Sequence, residues 1–178
     1  MPFLYSPGHP LSVAELTAAR LDGHLSGIGD AFMPTDIPES AQLRAAVLRS
    51  VVPPRLALCR SSAAWVHGAG SAPPDTHHLQ RAAAERVRLQ PPPGFVFHDV
   101  ATVDGDVIRI SGVAVTAPAC TIADMARTGE DEARLTDLVL LHPESVPAAL
   151  QSLQRAGRLP GKRDALRRLR EFYDEVTR

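Results

Sequence analysis

Pro118 divides the chain into two kinds of sequence. Beyond it, apolar residues recur at helical spacing; before it, from Pro53 to Thr116, short apolar runs are set between groups of proline and glycine. The spacing after Pro118 predicts helices over about 118–127, 131–141, 146–156 and 162–176. In the last of these, Leu166, Leu169, Tyr173 and Val176 make an apolar stripe. Arg163, Arg167 and Arg170 fall on a different one.

Ahead of the strand-rich middle, Ser12 and Glu15 have the spacing of a capping box, with Val13, Leu16, Ala19 and Leu21 following and Gly23 closing the helix. His24 to Met33 alternates in places and holds two central glycines, the pattern of a short hairpin. A second helix is expected over about 39–51, with Leu43, Ala46, Val47 and Val51 on one face and Arg44 and Arg49 elsewhere. Pro53-Pro54 ends it. The run Arg55-Leu-Ala-Leu-Cys59 leads to Ser61 or Ser62, either of which can cap a helix from Ala63 to His67 that Gly68 stops. Strands are predicted near 77–82 and 86–89. Two more, 95–103 and 106–110, flank Asp104-Gly105, a hairpin signal, and Ser111-Gly112 turns into 113–116. The simplest arrangement of these last three is an antiparallel meander. The fold class is therefore α+β: a small helical and wing-like N-terminal segment, a mixed antiparallel sheet with helices, and a helical C-terminus. The expected division is 1–52 and 53–178.

Chemistry is sparse. A nuclease of the restriction type needs a lysine beside strand-borne carboxylates, and the single lysine, Lys162, sits at a helix start. Asp104-Gly-Asp106 invites a nucleotidyltransferase reading, but the nearest Gly-Ser, Gly70-Ser71, lies more than thirty residues upstream and runs into two prolines. A turn accounts for the aspartates. His77 and His78 are adjacent on a strand and so face opposite sides, a poor chelating pair. No catalytic residue, metal or cofactor is assigned. Asp124, alone in an apolar helix, is read as pairing with Arg127 or a neighbouring backbone group and anchoring that helix to the sheet, and Trp65 is read as core. Two cysteines far apart suit a reducing cytoplasm, and no stretch is apolar enough for a membrane span. The net charge of −1 hides an asymmetry: residues 99–150 hold nine acids and three arginines, and residues 151–178 eight bases and four acids. The basic end suits either internal complementarity or a partner surface.

Two segments carry a resemblance to a family. Ser61-Ser-Ala-Ala-Trp65-Val-His-Gly68 and a junction matching at Gly112, Val115, Thr116, Pro118, Thr121, Asp124, Met125, Ala126 and Arg127 resemble the AbiEi-type antitoxins of type IV toxin–antitoxin systems. The resemblance covers about 11–169. It implies a non-enzymatic regulator that binds operator DNA and counteracts a nucleotidyltransferase-like toxin. Such proteins are expected to begin with a winged helix-turn-helix, and Arg20 to Phe32 resembles its last helix and wing, abbreviated in this chain. A working DNA reader, with contacts from Arg20, His24, Arg44 and Arg49, and a protein-interaction module that has lost DNA binding are both compatible with this. Arg163, Arg167 and Arg170 are the candidate partner-binding residues, and a homodimer would restore the affinity of a half-sized reader.

Overall fold

The computed structural model describes residues 3–8, 10–83, 91–100, 102–103 and 105–176. The strand expected over 86–89 and the turn residue Asp104 lie outside them. The chain begins with helix α1 (Val13–Leu21), whose Ser12–Glu15 capping box forms as expected. The hydrogen bonds from Ser12 also hold the Glu15 carboxyl below its usual range. Strands β1 (Leu25–Ile28) and β2 (Ala31–Pro34) then form a tight antiparallel hairpin in which Ile28 pairs with Ala31. Tyr5 bridges to Phe32 on the other side of β2, so the small sheet runs Tyr5, β2, β1.

Helix α2 (Ala41–Leu48) is capped by the Ser40 hydroxyl and is shorter at both ends than its periodicity suggested. Strand β3 (Leu56–Leu58) follows, then α3 (Arg60–Val66), β4 (His77–Arg81), β5 (Phe95–His98), β6 (Val107–Ile110) and β7 (Val113–Thr116). The order across the five-stranded sheet is β5-β4-β3-β7-β6, with β3 antiparallel to β4 and parallel to β7, and β4 parallel to β5. The expected meander is thereby corrected. β6 and β7 do form a hairpin, but β5 sits at the opposite edge of the sheet. The turn at Gly105 is local, closed by hydrogen bonds between Val103 and Asp106, and it leads into the crossing chain rather than back along β5. In the β6–β7 hairpin, Ser111 and Gly112 have φ of 49° and 84°, the two left-handed positions that a two-residue turn of this kind demands.

Helices α4 (Pro118–Thr128), α5 (Glu132–Leu141), α6 (Val146–Arg155) and α7 (Lys162–Val176) complete the chain close to the sequence expectation. Two apolar clusters result. One joins Leu56, Leu58, Leu79, Val113 and Val115 of the sheet to Leu43, Ala45 and Leu48 of α2, to Ile28, Ala31 and Met33 of the hairpin, and to Trp65. The other fills the space among α4, α5, α6 and α7, with Ile122, Leu135, Leu138, Leu153 and Leu169 fully or nearly buried. Helix α3 lies between them, giving Trp65 and Val66 to the first cluster and Ala64 to the second. No helix among the described residues is long and apolar enough to cross a membrane.

Candidate functional site

The two family-like segments meet through a hydrogen-bonded junction. The Thr121 hydroxyl reaches back to the carbonyls of Thr116 and Ala117 at 3.1 and 3.0 Å and lies 2.7 Å from the Thr116 hydroxyl. A strand end and a helix start are locked together, and Pro118 at the first turn gives up only an N–H the helix would not use. From the other segment, His67 Nε2 donates to the Thr116 carbonyl at 2.7 Å. Burial holds the His67 ring below its ordinary pKa. The helix containing Trp65 has Cys59, not Ser61 or Ser62, at its N-cap, and no side chain caps it. Ser62 Oγ is engaged elsewhere, accepting the His78 N–H at 2.8 Å. Gly68 directly follows the C-cap, as expected.

Asp124 pairs with Arg127, one of the arrangements expected, and also with Arg60 at 3.4 Å. Arg60 continues to Glu130, so two guanidiniums and two carboxylates alternate along one chain of contacts. All the side chains except Glu130 are mostly shielded from water. Next to this network lies a polar face of the sheet. Along β4, Leu79 enters the first core while His78 and Gln80 point the other way, as period-two geometry requires. His78 Nδ1 sits 2.9 Å from His98 Nε2 of β5, with the rings stacked at 5.2 Å. Burial lowers the pKa of both rings. His77, on the opposite face, stacks on Phe95 at 5.1 Å.

Between this face and helices α4 and α6 is a cavity of about 190 Å³. Its lining is mixed, with Gln80, Asp106, Cys120, Asp124 and Arg127 alongside the apolar Val100, Leu153 and Leu159. Burial, with the nearby Asp106 and Asp124 charges, pushes the Cys120 thiol up to about 12, so it is a neutral wall rather than a nucleophile. The closest approach to a hydrolytic pair, Ser62 Oγ and His77 Nδ1 at 3.2 Å, is unusable because Ser62 is sealed from solvent. The arrangement can bind, and it has no exposed activated nucleophile among the described residues.

The structure separates the residues proposed for nucleic acid. Arg20 at the end of α1, His24 at the start of the hairpin and Arg49 after α2 are exposed. Arg44 is not: it is 8% exposed, and its guanidinium donates to the carbonyls of Trp65 and Gly70 at 2.7 and 3.0 Å, pairs with Glu39, and lies over the Trp65 ring. Its role as a phosphate contact is corrected. Arg44 shares α2 with Leu43, Ala45 and Leu48, which are buried in the first apolar cluster. Arg163, Arg167 and Arg170 lie exposed along α7, Arg167 reaching Asp164 at 3.4 Å. Trp65 is core, as read, and its indole N–H has no acceptor among the described residues. Sequence reasoning missed Arg60, His67, Gln80, His98 and Arg134. Arg134 of α5 donates to the carbonyls of Ser61 and Ala72 at 3.2 and 3.1 Å. Only β4's alternation around Leu79 gave any signal, for Gln80.

A family model described as the AbiEi antitoxin C-terminal domain matches residues 56–174, from β3 into α7. No curated protein matches the chain. Among solved structures, it is similar to the RV2827C protein from Mycobacterium tuberculosis at 16% identity, with a TM-score of 0.45 and 90% of this chain covered. The chain spans 64% of that structure's length.

Proposed function

The chain belongs to the AbiEi antitoxin C-terminal domain family, and on that premise we propose that it is an antitoxin-like transcriptional regulator that binds operator DNA and counteracts a nucleotidyltransferase-like toxin. The family match, over more than half of the chain, carries the antitoxin role. The DNA contact is supported by the N-terminal arrangement: an exposed helix end with Arg20, then His24, then a two-stranded hairpin whose sheet is completed by Tyr5. Arg49 adds a third exposed site. The stripe of Arg163, Arg167 and Arg170 suits an acidic protein surface.

A second reading, a protein-interaction module without DNA binding, is favoured by one observation. The hairpin turn, though exposed, lies against the body of the fold, where a Cβ on Gly29 would meet Val47 at 3.1 Å and the Trp65 ring at 3.7 Å. A tip held there is not free to enter a groove. Fluorescence anisotropy of a labelled fragment from upstream of the gene, against a scrambled fragment and across a salt series, separates the two. Preference for the native fragment, with a salt slope that falls by about one when Arg20→Ala is introduced, supports the regulator. Equal or absent binding at low salt sinks it and leaves the interaction module.

A further inference from the structure

The cavity beside Gln80 has no part in the DNA or toxin contacts proposed above. Gln80 is 4% exposed, and its amide forms no side-chain hydrogen bond with any described residue. Its amide atoms are not sealed from solvent; they open onto the cavity, where water or a ligand meets them. That space holds more than a single water, which needs only about 10–15 Å³ of such volume, yet at about 190 Å³ it falls below the roughly 300 Å³ at which drug-sized sites begin. It fits one ring system.

The lining narrows the chemistry. Asp124 spends one contact on Arg60 and one on Arg127, so each carboxylate oxygen keeps acceptor capacity. An amide offering a donor and an acceptor side by side, near a carboxylate, matches a ring edge that bears an amino group next to an acceptor nitrogen. Val100, Leu153 and Leu159 supply apolar contact for the faces of such a ring. Asp106 and Asp124 outnumber the one guanidinium in the lining, Arg127, so a phosphate is disfavoured. The geometry points to a binding site for an uncharged, amino-bearing nucleobase, read by the Gln80 amide and the Asp124 carboxylate.

The test is a calorimetric and saturation-transfer titration of the full chain with adenine, cytosine, uracil, adenosine, adenosine monophosphate and benzene. Adenine or cytosine binds at millimolar concentration or below, ahead of uracil and benzene, and the monophosphate binds no tighter than adenosine. Gln80→Met, which keeps the side chain's length without the amide, weakens the base by about tenfold or more through the lost hydrogen bonds, with the unfolding midpoint little changed. Ala156→Phe, which fills the cavity from the end of α6, abolishes binding and serves if the first variant does not fold. Benzene binding as well as the bases would make the cavity a plain apolar void and overturn the assignment. So would uracil matching adenine and cytosine, a monophosphate that binds more tightly than its nucleoside, or no base bound at all.

Discussion

At the scale of single residues, arginine is the structural adhesive of this chain. Arg44 of α2 and Arg134 of α5 donate to backbone carbonyls in and just after α3, at Trp65, Gly70, Ser61 and Ala72. Arg44→Ala removes a nearly buried cation, its bonds to the Trp65 and Gly70 carbonyls and its pairing with Glu39, so urea unfolding is expected to show a loss of about 2–4 kcal/mol. Arg20→Ala, on an exposed helix end, should stay within about 0.5 kcal/mol of the parent in the same experiment. A second sensitive position is Gly161, at φ of 73°, where an added Cβ would sit 2.2 Å from the Arg127 carbonyl. Gly161→Ala cannot be absorbed by a side-chain rotation, because the obstacle is backbone. Its midpoint should fall by an amount equivalent to more than about 2 kcal/mol.

Among the elements, the paired strands β4 and β5, together with His67 at the end of α3, carry the acid sensitivity. Burial holds His67, His77, His78 and His98 below the ordinary value of 6.5, so the folded chain resists protons that the unfolded chain accepts. Stability is therefore level above about pH 7 and declines as pH falls through 6.5 towards the lowered folded values. Urea midpoints at pH 7.5 and 5.5 should show this loss, and the double change His78→Gln, His98→Gln should reduce it. The helices were legible in the sequence, and so were the starts of α1 and α4, because Ser12, Glu15 and Pro118 act within a turn of where they sit. The β6–β7 hairpin was legible for the same reason. The start of α3 was not, falling at Cys59 rather than at Ser61 or Ser62, and neither was strand order. Asp104-Gly105 signals a reversal of the chain, yet β3, a run of only three residues, takes the centre of the sheet and leaves β5 and β6 on opposite edges. Nothing local encodes that choice; it follows from which apolar faces can be buried together. The polar site was hidden similarly, since Arg60 meets Asp124 and Gln80 faces α4 only after the strands are ordered.

For the whole molecule, the apolar cluster behind the sheet ignores the boundary expected between residues 52 and 53. Ile28, Met33, Leu43 and Leu48 lie in the same cluster as Leu58, Trp65 and Val115. A fragment of residues 53–178 would expose that cluster, and should show red-shifted Trp65 emission, dye binding and no cooperative transition. A fragment that unfolds sharply with buried tryptophan would show instead that the family domain stands alone. The parallel pairing of β3 with β7 has a consequence in time. During synthesis the central strand waits for a partner made more than fifty residues later, and the helices flanking the cavity arrive after that. Until residues 113–116 leave the ribosome, β3 is a raw edge open to chaperones, proteases and other strands. Ordering is completed from the C-terminal side, on the slower timescale of non-local strand pairing, and a chain interrupted before β7 keeps that edge of β3 unpaired.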